Sequence, residues 1–141
     1  MIKKKIAFDT NIYIDILNDK ASFSNFINVN TESLYLIAVL LEIEIGAFEK
    51  NAKKVIENHK NKLNKLNRIL APSKNAFIKA GRILSIFHEQ EHFDLIGLYK
   101  ITNDVLIATT CLENGVTLNT KNKKDFEKNC HYLKGFKNRI F

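Results

Sequence analysis

Short apolar runs, each closed by a polar or acidic residue and followed by a helical pattern, alternate along the chain, and this alternation limits the fold more than any other feature. Lys5-Ile6-Ala7-Phe8 ends at Asp9, and Asp9-Thr10-Asn11 supplies capping chemistry before the helical spacing of Ile12, Ile16 and Leu17. Ser33 to Val39 is a second apolar, partly β-branched run. It passes without Gly or Pro into LEIEIGAFEKNAKKVIENHKNKLNKLNRIL, whose positions Ile45, Phe48, Ala52, Val55, Ile56, Leu63, Leu66 and Ile69 or Leu70 recur as one buried helical stripe. Ala71-Pro72-Ser73 breaks that pattern, and Ser73 caps a helix with Phe77, Ala80, Leu84 and Phe87 on one side, which predicts a helical hairpin. After an irregular HFDLIGLYK, Thr102-Asn103-Asp104 opens the helix VLIATTCLENG, with Gly115 as its stop. Val116 to Thr120 reads as a strand, Asn122 as a cap, and the terminal NRIF as an edge strand. Strands this short, separated by helices, predict an α/β fold on a parallel sheet, in one domain over residues 1–141.

Composition sets the function classes. With 45% hydrophobic residues, one Pro and five Gly, the chain suits a packed core and excludes collagen-like and wholly disordered classes. The apolar stretch from Leu34 to Leu41 is interrupted by Glu42 and Glu44, short of the roughly 20 residues a membrane crossing requires. Lys3, Lys4 and Lys5 precede an apolar patch that Asp9 cuts short, which does not match a secretory leader and predicts a cytoplasmic protein. Cys111 and Cys130 give neither a disulfide framework nor a four-cysteine zinc site. The net charge of +7 is localised: residues 50–68 carry seven Lys or Arg against Glu57, and residues 121–141 carry seven against Asp125 and Glu127. Such patches attract polyanions, which makes Lys53, Lys54, Lys60 and Lys62 candidate RNA-binding residues, with a solvated helix face as the alternative.

The acids fall at informative places. Asp9 ends the first strand, Glu42 follows the second, Asp104 opens a helix, and Asp125 follows the last internal strand. In an open parallel sheet, ligands bind beyond the carboxyl ends of the strands. Carboxylates converging there repel one another unless a hard cation with oxygen ligands sits among them, so the pattern points to Mg²⁺ or Mn²⁺. One or two such ions activate water and stabilise the leaving oxygen of a phosphodiester without a nucleophilic side chain. Singly, Asp9 and Asp104 also read as helix caps and Asp125 as a surface acid. Glu42 is harder to explain away, because VLLEIEIG places it among apolar residues.

Asp9-Thr10-Asn11 after a strand, Glu42-Ile43-Glu44-Ile45-Gly46, Asn103-Asp104-Val105-Leu106-Ile107-Ala108, and Thr120-Lys121-Asn122-Lys123-Lys124-Asp125-Phe126 together resemble the PIN-domain ribonucleases, and within them the VapC-type toxins of toxin–antitoxin pairs. The resemblance spans roughly residues 5–126. It implies a five-stranded parallel sheet flanked by helices, Mg²⁺- or Mn²⁺-dependent endonucleolytic cleavage of RNA, and inhibition by a cognate antitoxin. Carried over by position, it implies Asp9, Glu42, Asp104 and Asp125 as the catalytic acids, Asp9 and Asp104 as metal ligands, and Asn11, Thr120 and Asn122 as supporting residues. Glu44 offers a second carboxylate beside Glu42, and the spacing from Gly46 favours Glu42. Thr109 stands where a small apolar residue is common. A homodimer, or a partner helix covering the acids, would use Ile12, Tyr13, Ile16, Leu17, Ile45 and Phe48.

His88-Glu89-Gln90-Glu91-His92 matches HExxH, the spacing of a zinc peptidase. No third ligand lies in a supporting motif, and the pattern ends the helix at Phe93-Asp94, so the match reads as incidental. A regulatory or RNA-binding module without turnover is the other alternative to a nuclease.

Overall fold

A computed structural model describes residues 5–17, 35–46, 50–121, 124, 126, 127, 131 and 137–140. Among the described residues the strands are β1 (Ile6–Phe8), β2 (Tyr35–Leu36), β3 (Ile69–Leu70), β4 (Thr117–Thr120) and β5 (Lys137–Ile140). The helices are α1 (Thr10–Leu17), α2 (Ile37–Gly46), α3 (Lys50–Lys65), α4 (Lys74–Gln90) and α5 (Leu95–Asn114). Every strand pairing is parallel. One ladder runs β1-β4-β5 and a second joins β2 to β3, with β2 lying against β1. The spatial order is therefore β3-β2-β1-β4-β5. The chain leaves β1 on one side and returns on the other through β4, so β1 is the switch point of an α/β sheet.

Parallel strands bury both faces and read as short apolar runs. Ala7 and Phe8 of β1 and Leu118 of β4 are buried, together with Ile12 and Tyr13 of α1, Val39 and Ile43 of α2, and Val105, Ile107, Ala108 and Cys111 of α5. The Phe8 and Tyr13 rings meet edge to face with centroids 6.0 Å apart, which fixes α1 against the strand it follows. Ile12 and Tyr13 thus belong to the core and are not available to a partner. The side chains of Ile16, Leu17 and Phe48 lie outside the described residues.

Several boundaries differ from the sequence reading. The second strand is only Tyr35–Leu36, because the helix begins at Ile37. The long helical pattern splits into α2, α3 and the strand β3, so Ile45 and Leu66, expected on a buried stripe, are exposed. Asn67 stops α3: it takes φ 55°, and the next amide, Arg68 N–H, donates to the Leu63 carbonyl at 2.9 Å, a helix-ending geometry that Asn tolerates. On α4 the buried line is Ala76, Ala80, Ile83 and Phe87, which leaves Phe77 exposed. The helical hairpin forms between α4 and α5, and not between α3 and α4.

The largest correction concerns α5. HFDLIGLYK is not irregular, since the helix begins at Leu95 with Asp94 as its cap, whose Oδ1 accepts from Gly97 N–H at 2.7 Å. Asp104 therefore sits mid-helix and does not open one. Thr102 tolerates that interior position because its hydroxyl donates to the Leu98 carbonyl at 2.7 Å, and Thr109 and Thr110 bond back to the preceding turn in the same way. Gly115 ends α5 in the left-handed conformation at φ 64°, as expected. At 20 residues α5 is long and apolar enough, by length and composition, to cross a membrane. Its C-terminal half is buried against the sheet, and Lys100 and Asp104 interrupt its middle.

His59 on α3 is buried, and burial together with the neighbouring Lys62 charge pushes its pKa down to about 4. In the unfolded chain it titrates near 6.5. Above that pH neither state binds the proton, so stability is unaffected; as pH falls toward 4, the unfolded chain gains the proton first and the fold loses stability. Discounted for water reaching part of the ring, the loss is on the order of 1–2 kcal/mol. Urea unfolding at pH 7 and pH 5 should therefore show a larger drop for the parent than for His59→Gln, and equal drops in the two proteins would contradict this account.

Candidate active site

The β1–β4 register builds the site. Phe8 pairs with Asn119, so the next residue on each strand, Asp9 and Thr120, stand together at the carboxyl edge of the sheet. Asp9 is 4% exposed, and both of its carboxylate oxygens accept hydrogen bonds. Thr10 N–H donates to Oδ1 at 2.8 Å, and the buried Thr120 hydroxyl donates to Oδ2 at 2.8 Å. Asp9 thus caps α1 and is also fixed from across the sheet.

Glu42 reaches the same place from α2, and Asp104 from α5. Both line a cleft of about 620 Å³ with Asp9, Thr10, Asn11 and Asn103. The Asn103 amide donates to Glu42 Oε1, tying α2 to α5 across the cleft. Glu44 points elsewhere: it lines a separate groove with Lys53, Ile56 and Glu57, and it pairs with Lys60 at 3.3 Å. Two residues apart on a helix, the two glutamates face nearly opposite ways. Asn103 is a cleft residue that the sequence reading passed over as part of a cap. Its position one residue before Asp104 is the only signal for it.

Asn11 lies exposed on the cleft wall, and Thr120 is buried beneath it. Asn122 and Asp125 lie outside the described residues. Of the lysines on α3, Lys53, Lys54 and Lys62 are exposed, whereas Lys60 is held between Glu57 at 2.7 Å and Glu44. These hydrogen bonds, Glu57 first, raise the Lys60 pKa. None of the four lysines lines the acid cleft.

The donor set in the cleft is entirely oxygen, which suits a hard cation. Among the described residues no three acids, histidines or cysteines close into a protein-made cage. An ion here would keep several waters, as Mg²⁺ does. The Thr10 hydroxyl is buried at the cleft with no hydrogen-bond partner among the described residues, a polar atom that such a water would satisfy. Cys111 is buried, and burial with the Asp9 charge pushes its thiol up to about 12, so it remains protonated and supplies no soft ligand. Cys130 lies outside the described residues.

The HEQEH segment does not form a zinc motif. α4 ends at Gln90, His92 adopts φ 57° beyond the helix, and His88 Nδ1 contacts the Phe93 carbonyl oxygen at 2.7 Å. The two histidines do not share a helical face.

Comparison with known proteins agrees with this geometry. The model of the PIN domain matches residues 6–131. No curated protein matches the sequence significantly. Among solved structures, a chain of DNA-bound VapBC from Salmonella typhimurium is 21% identical with a TM-score of 0.69, covering 99% of this chain and 98% of that one. A chain of VapBC2 from Rickettsia felis bound to a promoter DNA fragment is 22% identical, with a TM-score of 0.61 and coverage of 97% and 98%. A chain of VapBC-1 from nontypeable Haemophilus influenzae is 18% identical, with a TM-score of 0.64 and coverage of 96% and 97%. At these identities the neighbours establish the fold, while the sequence match extends from β1 past β4, and the chain belongs to the PIN-domain family.

Proposed function

We propose that the protein is a metal-dependent endoribonuclease and the toxin of a toxin–antitoxin pair. The observation that carries this reading is the delivery of Asp9, Glu42 and Asp104 from three separate elements into one cleft at the sheet switch point. Asp9 and Asp104 would hold Mg²⁺ or Mn²⁺, which would supply water activation and stabilisation of the leaving oxygen. Asp9 presents a carboxylate at the cleft whose orientation Thr120 and Thr10 N–H have already set. Asn103 holds Glu42 in place, so that its second oxygen remains to orient a water. Asp125, from the segment after β4, is assigned as the fourth acid, with Asn11 and Asn122 as supporting residues. On α3 the exposed Lys53, Lys54 and Lys62 add attraction for the RNA backbone, and Lys60, neutralised locally by two glutamates, adds less.

The antitoxin part of the reading rests on the neighbours, which are VapBC complexes, and on the exposed Leu41 and Ile45, on α2 beside the cleft. A partner helix laid over these residues would cover Glu42 and Asp9. Self-association through the same face is the competing use of that surface. An RNA substrate would suit a cytoplasmic protein.

Two measurements test the proposal. Asp9→Asn keeps the capping oxygen and removes the charge, so the protein should fold while cleavage of RNA falls by about a hundredfold or more. Glu42→Gln should also impair cleavage and Glu44→Gln should leave it within a few-fold; full activity in Asp9→Asn would refute the assignment. In the second measurement, a chelator should abolish cleavage, and Mg²⁺ or Mn²⁺ should restore it in the parent and equally in a variant with His88 and His92 both changed to Gln. Activity that returns only with Zn²⁺ would revive the peptidase-like motif.

A further inference from the structure

The cleft has a second end that the carboxylates do not occupy. Its wall there is Tyr99 and Lys100 on α5, one helical turn ahead of Asn103 and Asp104. Residues four apart share a helix face, so Tyr99 stands over Asn103 and Lys100 over Asp104, about 6 Å along the axis. Tyr99 is 78% exposed, more than any other large hydrophobic side chain among the described residues. Leu95 and Ile96, on the same face one turn earlier, are also exposed, so the start of α5 projects past the core as an apolar ledge ending in a lysine.

An unpartnered ring of this kind is kept in water at a cost unless something covers it. The occupant must match an aromatic face and a cation alternating within a single turn, at the lip of a cleft of acids, on a chain of net charge +7. A single-stranded polynucleotide has that alternation: a flat base with a π-face, then an anionic phosphate. We propose that Tyr99 and Lys100 form a nucleotide subsite, in which the ring stacks an unpaired base next to the phosphate at Asp9 and Asp104 while the Lys100 ammonium pairs with a neighbouring phosphate. The substrate is then single-stranded or looped RNA, because a base inside a duplex has no free face to offer. Arrangement along α5 gives the subsite its register: an aromatic ring one turn from the acids selects which unpaired nucleotide lies beside the cut. The inference rests on the ribonuclease reading for the word substrate, but the binding it describes is measurable by itself.

The test uses the full chain, a fluorescein-labelled single-stranded oligoribonucleotide, and the same sequence in a perfect duplex, with Ca²⁺ replacing Mg²⁺ during binding measurements. Tyr99→Leu keeps apolar bulk and removes the π-face; it should weaken single-strand binding by roughly tenfold and leave duplex binding unchanged, and Tyr99→Phe should restore the parent value. With Mg²⁺, Tyr99→Leu should raise KM more than it lowers kcat. Lys100→Gln should reduce the slope of log Kd against log salt by about 0.7. Single-strand binding by Tyr99→Leu equal to the parent, or equal weakening on single strand and duplex, overturns the subsite. So does a Tyr99→Leu protein with unchanged RNA binding that loses a homodimer or an inhibitory protein complex on size exclusion, since the ledge is then a protein interface. If the parent binds single strands through Tyr99 yet cleaves none with Mg²⁺, the subsite stands and the ribonuclease reading fails.

Discussion

The bond between the Thr120 hydroxyl and Asp9 is the constraint around which the site is arranged. It exists only because β1 and β4, separated by more than a hundred residues of sequence, pair in parallel with Phe8 opposite Asn119. Parallel pairing needs a long crossover, and here that crossover is most of the protein. α2 and α5, both part of it, return to the carboxyl edge and deliver Glu42, Asn103 and Asp104 to the residue that Thr120 holds. A one-residue slip of β4 would turn Thr120 away and bring Asn119 or Lys121 to Asp9 instead. Register, and not the local sequence around any one acid, is what makes a site from them.

Concentrating acids in this way has an electrostatic cost that the fold offsets in part. Asp9 is buried, and its carboxylate oxygens accept hydrogen bonds from a backbone amide and a hydroxyl. Glu42 receives an amide from Asn103. Asp9 and Glu42 both line the cleft, where a bound cation would remove the mutual repulsion. The buried Cys111 shows the local field: its thiolate is disfavoured by burial and by the Asp9 charge. The lysines of α3 lie outside the cleft, and Lys100 lines it at the end away from Asp9, where positive charge can attract a polyanion.

Much of this was legible in the sequence for physical reasons that can be named. Lys5 to Asp9 reads as a strand and a cap because a short apolar run followed by Asp-Thr-Asn admits little else, and Gly115 reads as a stop because the left-handed position it fills favours Gly. The start of α5 was hidden by two opposing signals. Gly97 lowers helix propensity, yet at 97 it lets the chain close on Asp94, whose Oδ1 would stand 3.2 Å from an added Cβ. Thr102-Asn103-Asp104 imitates a cap, and only the bond from the Thr102 hydroxyl to the Leu98 carbonyl shows that these residues lie within a helix. The fate of Ile45 was hidden for another reason: the apolar period continues unbroken through a place where the helix itself ends, so periodicity assigned Ile45 to a core that the last turn of α2 leaves. Which of Glu42 and Glu44 faces the acids follows from helical phase, and the phase became definite once α2 was seen to start at Ile37.

The central claim is that Asp9 and Asp104 hold a divalent cation at the carboxyl edge of β1. Crystals of the protein soaked in Mn²⁺, measured for its anomalous scattering, test this most directly. The account predicts an anomalous peak in the cleft within about 2.3 Å of carboxylate oxygens from both residues, absent from crystals of Asp9→Asn. No peak there at a Mn²⁺ concentration that supports RNA cleavage, or an undiminished peak in Asp9→Asn, would contradict it.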